Sequence, residues 1–108
     1  MNMNEYQDAA RKTAVFPKQQ GLVYTTLGLT SEAGEVADKV KKVIRDNDGN
    51  FSDDVKQAIK KELGDVLWYV AGMAGELGFT LDDVASTNIM KLTSRQDRGK
   101  IGGSGDDR

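Results

Sequence analysis

The sequence predicts an all-α fold, an antiparallel helical bundle of about four helices with two long central ones, and three observations carry that prediction. The composition favours helices, with a single proline in 108 residues and 38% hydrophobic content, enough for one modest core. Apolar residues recur at spacings of three, four and seven through two long segments. Turn and capping residues stand between the segments where helices have to stop and start. No internal repeat or long linker divides the chain, so one domain is expected over residues 1–98, followed by a glycine-rich tail or lid over residues 99–108.

The first helix is expected over Asn4 to Thr13 and ends before Phe16-Pro17, because proline disfavours helical backbone at the residue preceding it. From Lys18 to Asp46 the residues Leu22, Leu29, Ala33, Val36, Val40 and Val43 mark one face of a long helix. Asn47-Asp48-Gly49-Asn50 then forms a turn, since these residues accept left-handed backbone and make local hydrogen bonds. Ser52 or Asp53 caps a third helix whose inner face reads Val55, Ile59, Leu63, Val66, Val70, Met73 and Leu77, with Gly78 as its C-cap. Thr80 and Asp83 resemble a capping box and open a fourth helix running to about Arg95. Beyond Gly99 the chain is too rich in glycine for regular structure.

Composition removes whole classes of chemistry. Cysteine and histidine are both absent, which excludes disulfides, zinc clusters, thiol nucleophiles and imidazole bases. A metal would have oxygen ligands, favouring magnesium, manganese or calcium over softer ions. A net charge of −2 offers no general attraction to nucleic acid or anionic membrane, and no apolar stretch approaches the roughly 20 residues of a membrane span. A cytoplasmic protein with neither nucleic-acid nor membrane partner is expected.

The carboxylates carry the chemistry that remains. Four acidic pairs are spaced three apart, Glu5/Asp8, Glu32/Glu35, Glu35/Asp38 and Glu62/Asp65, whereas random placement of 17 acids among 108 positions gives roughly two or three. Spacing alone therefore distinguishes little; rotational position does more. At about 100° per residue, Glu32, Lys39 and Glu35 border one edge of the apolar stripe of the second helix, and Glu62, Tyr69, Glu76 and Asp65 border the same edge on the third. Two antiparallel neighbours joined by a short turn would bring those edges to one side. Gly34 and Gly64 each precede the second acid of a pair, and glycine inside a helix costs about 1 kcal/mol against alanine, so a close backbone or a bulky ligand is expected beside them. Converging carboxylates repel one another unless a cation neutralises them, and magnesium commonly shares its coordination between carboxylates and phosphates.

On the fourth helix, Asn88, Lys91 and Arg95 lie within the face defined by Leu81, Val84 and Leu92, which points cationic groups inward. A frayed end with side chains reaching outward to water is the plain alternative; contact with a polyphosphate is the sharper one. Tyr69 follows Asp65 by one turn on the same stripe and can stack on a nucleoside or pack at the core's edge. Leu27 and Trp68 lie opposite the core stripes of their helices, so both would be exposed in a monomer and a partner copy is expected to cover them.

The runs Gly28-Leu29-Thr30-Ser31-Glu32-Ala33-Gly34-Glu35-Val36-Ala37-Asp38-Lys39 and Lys61-Glu62-Leu63-Gly64-Asp65-Val66-Leu67-Trp68-Tyr69 resemble the MazG-type all-α nucleotide pyrophosphohydrolases, whose pattern is an E-x-x-E pair, a turn and an E-x-x-D pair. The resemblance covers roughly residues 22 to 91 and holds at all four acids. It implies Glu32, Glu35, Glu62 and Asp65 as metal ligands and catalytic groups, magnesium (or manganese) as cofactor, a nucleoside triphosphate as substrate and a homodimer or homotetramer. The implied reaction is cleavage between the α and β phosphates by a metal-activated water attacking the α-phosphorus, releasing monophosphate and pyrophosphate. Lys91 and Arg95, with Lys39, would steady the leaving group, Asn88 and Tyr69 would complete the substrate contacts, and Glu35 would accept the water's proton. Two other readings stay open: a non-catalytic helical module whose acidic stripe docks a basic partner, and a pyrophosphohydrolase of the phosphoribosyl-ATP type.

Overall fold

The computed structural model describes all 108 residues, Met1–Arg108, and contains four α-helices and no strand. α1 spans Met3–Arg11, α2 Gly21–Asp46, α3 Asp53–Glu76 and α4 Leu81–Asp97, with a 3₁₀ turn over Lys18–Gln20 ahead of α2. Local chemistry sets each boundary. Asn2 caps α1 by accepting from Glu5 N at 2.9 Å, and the helix stops short of the expected Thr13, whose hydroxyl donates to Ala10 O at 2.7 Å in the turn that leaves it. Pro17 is extended at φ −61° and ψ 129°, so the expected second helix begins as a 3₁₀ turn and becomes α-helical only at Gly21.

The α2–α3 turn is left-handed at Asp48 and Gly49, with φ 51° and 77°. Ser52 Oγ accepts from Val55 N at 3.2 Å, and Thr80 Oγ1 accepts from Asp83 N at 3.1 Å, confirming the caps expected for α3 and α4. Gly78 closes α3 at φ 83°, with Phe79 N donating back to Ala74 O at 2.8 Å. No helix is long and apolar enough to cross a membrane.

α2 and α3 pack along one another, while α1 lies on α3 and also touches α4. Gln7 ties this junction together: its amide donates to Ala71 O and Phe79 O, each at 3.1 Å, and accepts from Leu81 N at 3.0 Å. α4 touches α1 and α3 but not α2, so the four helices do not close round a shared core within one chain. The core that forms is small, with Ala10, Val43, Ala71, Ala74 and Leu81 as its buried apolar residues. This corrects the expected inner stripe. Val36, Val40, Ile59, Val66 and Val70 are half-buried, whereas Leu22, Leu63, Leu77, Val84 and Leu92 remain exposed because no element of the same chain covers their side.

Candidate active site

Facing edges of α2 and α3 bring Glu32, Glu62 and Asp65 together, each offering a carboxylate oxygen within 4.8 Å of the others. Glu32 and Glu62 are half-buried and Asp65 is exposed. Such crowding penalises the charged form. Glu32 is held above the usual carboxylate range, first by burial and then by the negative charges of Asp65, Glu62 and Glu35 and a hydrogen bond with the Glu62 carboxyl. Glu35 contributes its field but stays exposed and outside the group of three, so the expected set of four is seen as three plus a neighbour. Lys39 Nζ lies 3.4 Å from Glu62 Oε1 and partly offsets the excess negative charge.

An aromatic group continues from this edge. Tyr69 and Trp68 meet edge to face at 4.9 Å, Trp68 and Phe16 at 6.4 Å, and Phe16 stacks on Tyr24 at 5.0 Å. The Tyr69 ring lies against Gly28, where a Cβ would overlap it. Two phenols share the acidic field. Burial raises the Tyr69 hydroxyl, with contributions from Tyr24, Glu32 and Asp65, and burial and then Asp65 raise that of Tyr6 on α1. Both therefore remain protonated donors beside the carboxylates. Tyr6 had no mark in the sequence, because its place depends on how α1 crosses α3.

Trp68 is a correction. It was expected to be exposed, yet it is half-buried, its Nε1 donating to Thr13 Oγ1 at 2.8 Å with Phe16 beside it. The irregular segment after α1 covers it, and helical periodicity cannot foresee such a cover. Leu27 stays exposed as expected, at 66%. Between that segment, α1 and α3 runs a groove of about 500 Å³ whose lining includes Gln7, Arg11, Phe16, Lys18, Trp68 and Glu76.

The expected partners on α4 lie elsewhere. Asn88 is exposed, Lys91 is half-buried and Arg95 is buried. Arg95 points inward as expected, but Lys91 and Arg95 bind Asp106 of the tail, at 3.1 and 3.5 Å, and no hydrogen bond or ion pair joins them to the acidic group. The glycines also differ from expectation. A Cβ at Gly34 or Gly64 would meet nothing within 4 Å, whereas the tightest approaches within the chain fall at Gly28, under Tyr69, and at Gly21, under the Glu76 carboxylate.

Three carboxylates with one cation at their rim form an oxygen-donor set suited to a hard divalent ion, and their mutual repulsion is what such an ion would relieve. The family model described as "MazG nucleotide pyrophosphohydrolase domain" matches residues 20–99. The "Gene 37 protein" of Mycobacterium phage L5 is 47% identical over 114 aligned positions that span the whole of both chains. No solved structure matches.

Proposed function

The chain belongs to the MazG nucleotide pyrophosphohydrolase family, and from that premise we propose that it hydrolyses a nucleoside triphosphate to monophosphate and pyrophosphate with magnesium as cofactor. The observation that carries this reading is the meeting of Glu32, Glu62 and Asp65, with carboxylate oxygens within 4.8 Å of one another, beside Tyr69 and its neighbour Trp68. Glu32, Glu62 and Asp65 would hold the metal, with Glu35 within reach of their field. A divalent ion bound there supplies charge neutralisation at the phosphates and acidifies a water.

The residues of the chain do the rest. Glu35, exposed and the one acid of the motif outside the group of three, would take the attacking water's proton. Lys39 sits 3.4 Å from Glu62 and can turn its ammonium to a phosphate oxygen once a metal relieves that carboxylate of charge. Trp68 and Phe16 wall a groove large enough for a nucleobase, and Tyr69 joins it to the acids, so the base lies in the groove and the phosphates run across Asp65. Asn88, Lys91 and Arg95 are assigned to phosphate binding. Because α4 does not reach α2 within the chain, that assignment requires either movement of α4 or a second copy, consistent with a working homodimer or homotetramer.

The decisive experiment incubates the purified protein with each common ribo- and deoxyribonucleoside triphosphate and magnesium, and measures pyrophosphate. Release is expected with at least one of them, with a loss of about 100-fold or more in Glu35→Gln and Asp65→Asn. Absence of pyrophosphate from every nucleotide sinks the reading in favour of a binding module, whereas an undiminished rate in both variants overturns the assignment of the chemistry to Glu35 and Asp65.

A further inference from the structure

The tail is folded, and what it folds onto is informative. Gly99, Gly103 and Gly105 take positive φ of 66°, 94° and 89°, so the chain reverses and returns along the end of α4. Lys100 N donates to Arg95 O at 2.6 Å, and Arg95 Nη2 donates to Asp106 O at 2.7 Å and Gly105 O at 3.3 Å. Arg98 Nη1 reaches Arg108 O at 2.6 Å, and the Arg108 guanidinium binds the carbonyls of Ile101, Gly102 and Gly105. Ile101 is the segment's one large apolar residue and is 53% exposed, so attachment is almost entirely polar.

Three asymmetries distinguish Asp106 from a structural ion pair. The cations are sheltered, with side-chain exposures of 34% for Lys91 and 6% for Arg95, while the Asp106 side chain is 84% exposed. One carboxylate oxygen, Asp106 Oδ1, lies against both cations, at 3.1 Å from Lys91 and 3.5 Å from Arg95, whose Nη2 makes its shorter bonds to the neutral carbonyls of Asp106 and Gly105, so a single exposed carboxylate is the one anionic group facing two cations. The buried Arg95 Nε has no acceptor. A phosphate group carries more oxygens than this shared carboxylate and can serve Lys91, Arg95 Nη2 and Arg95 Nε separately.

We propose that residues 99–108 form a displaceable strap in which Asp106 occupies the place of a phosphate-type anion on Lys91 and Arg95, so that a phosphate-bearing ligand binds there by lifting the strap. This deepens the proposed role of those two cations and rests on it only in naming the ligand's chemistry. Strap and ligand then exclude one another, and the chain carries its own competitor for the ends of a polyphosphate.

The test uses the full chain with inorganic pyrophosphate and no divalent metal, so that turnover plays no part. Hydrogen exchange is followed at the amides of residues 99–108, including Lys100, and pyrophosphate affinity is measured by calorimetry at low ionic strength. Saturating pyrophosphate is expected to speed exchange across the strap while α4 stays protected. Removing the competing charge in Asp106→Asn is expected to tighten pyrophosphate binding roughly two- to fivefold, the scale of one exposed ion pair, and Lys91→Gln to weaken it. An unchanged strap at saturation, no detectable pyrophosphate binding, or an Asp106→Asn affinity equal to or below that of the wild type overturns the proposal. Circular dichroism of both variants confirms that α4 is intact. A strap that opens in a protein unable to hydrolyse any triphosphate overturns the catalytic reading alone; hydrolysis with an immobile strap overturns this one alone.

Discussion

Glu32 shows at the level of one side chain how the site stores repulsion. Its carboxyl is driven up by partial burial and by the charges of Asp65, Glu62 and Glu35, so holding it ionised destabilises the metal-free fold. For a carboxylate whose folded pKa exceeds its unfolded one, that cost is absent at acid pH, appears as pH rises past the unfolded value and is complete above the folded value. Glu32→Gln is therefore expected to raise the melting temperature in metal-free buffer at pH 7, with the gain shrinking as pH falls into the range near 4 where carboxylates protonate. Millimolar magnesium or manganese should raise the melting temperature of the wild type, by binding the folded state, and raise that of the variant much less. A variant less stable than the wild type without metal, or equally stabilised by it, contradicts the assignment of Glu32 to the metal.

Among the helices, glycine separates what sequence could reveal from what it could not. All four helices were legible, and so were the turn before α3 and the caps of α3 and α4, because Asn47 to Asn50, Ser52, Gly78 and Thr80 act through their own backbone and near neighbours; the ends of α1 and the start of α2 were not, since α1 is capped by Asn2 and stops at Arg11, and α2 begins only at Gly21. The facing of Glu32 with Glu62 and Asp65 was legible too, since two amphipathic stripes determine which edges meet. The role of the glycines was not. Gly34 and Gly64 stand in open space, while Gly28, which no helical pattern singles out, is the one that receives the Tyr69 ring. The destination of Lys91 and Arg95 was equally hidden, because the strap's course depends on long-range contacts that no helical period encodes. Gly34→Ala and Gly64→Ala should each stabilise by about 0.5–1 kcal/mol from helix propensity. Gly28→Ala should cost roughly 1–3 kcal/mol because the ring has to move. Chemical denaturation measures all three; a loss at Gly34 or Gly64 would reveal another surface closing upon them.

The molecule as a whole is more open than a compact single chain of its length. Its radius of gyration is 16.8 Å, where a compact chain of this length gives about 13 Å. Its accessible surface is 7889 Å², about 2,000 Å² more than a folded monomer of 11.8 kDa usually shows. Leu27, Ile44, Leu63, Ile89 and Met90 are each more than half exposed. That excess is the scale of a large permanent interface, so light scattering at micromolar concentration should return two or four times 11.8 kDa. A monodisperse single chain would refute it.

Gln7 gives this architecture one more property. Its amide is the stitch by which nine residues of α1 fasten the end of α3 to the beginning of α4. A helix of that length is unstable by itself in water, so α1 exists only while it is sewn in, and its loss removes one of the two helices that α4 touches. The two extremities of the polypeptide should accordingly fray as one cooperative unit, leaving the long central pair standing after both have let go.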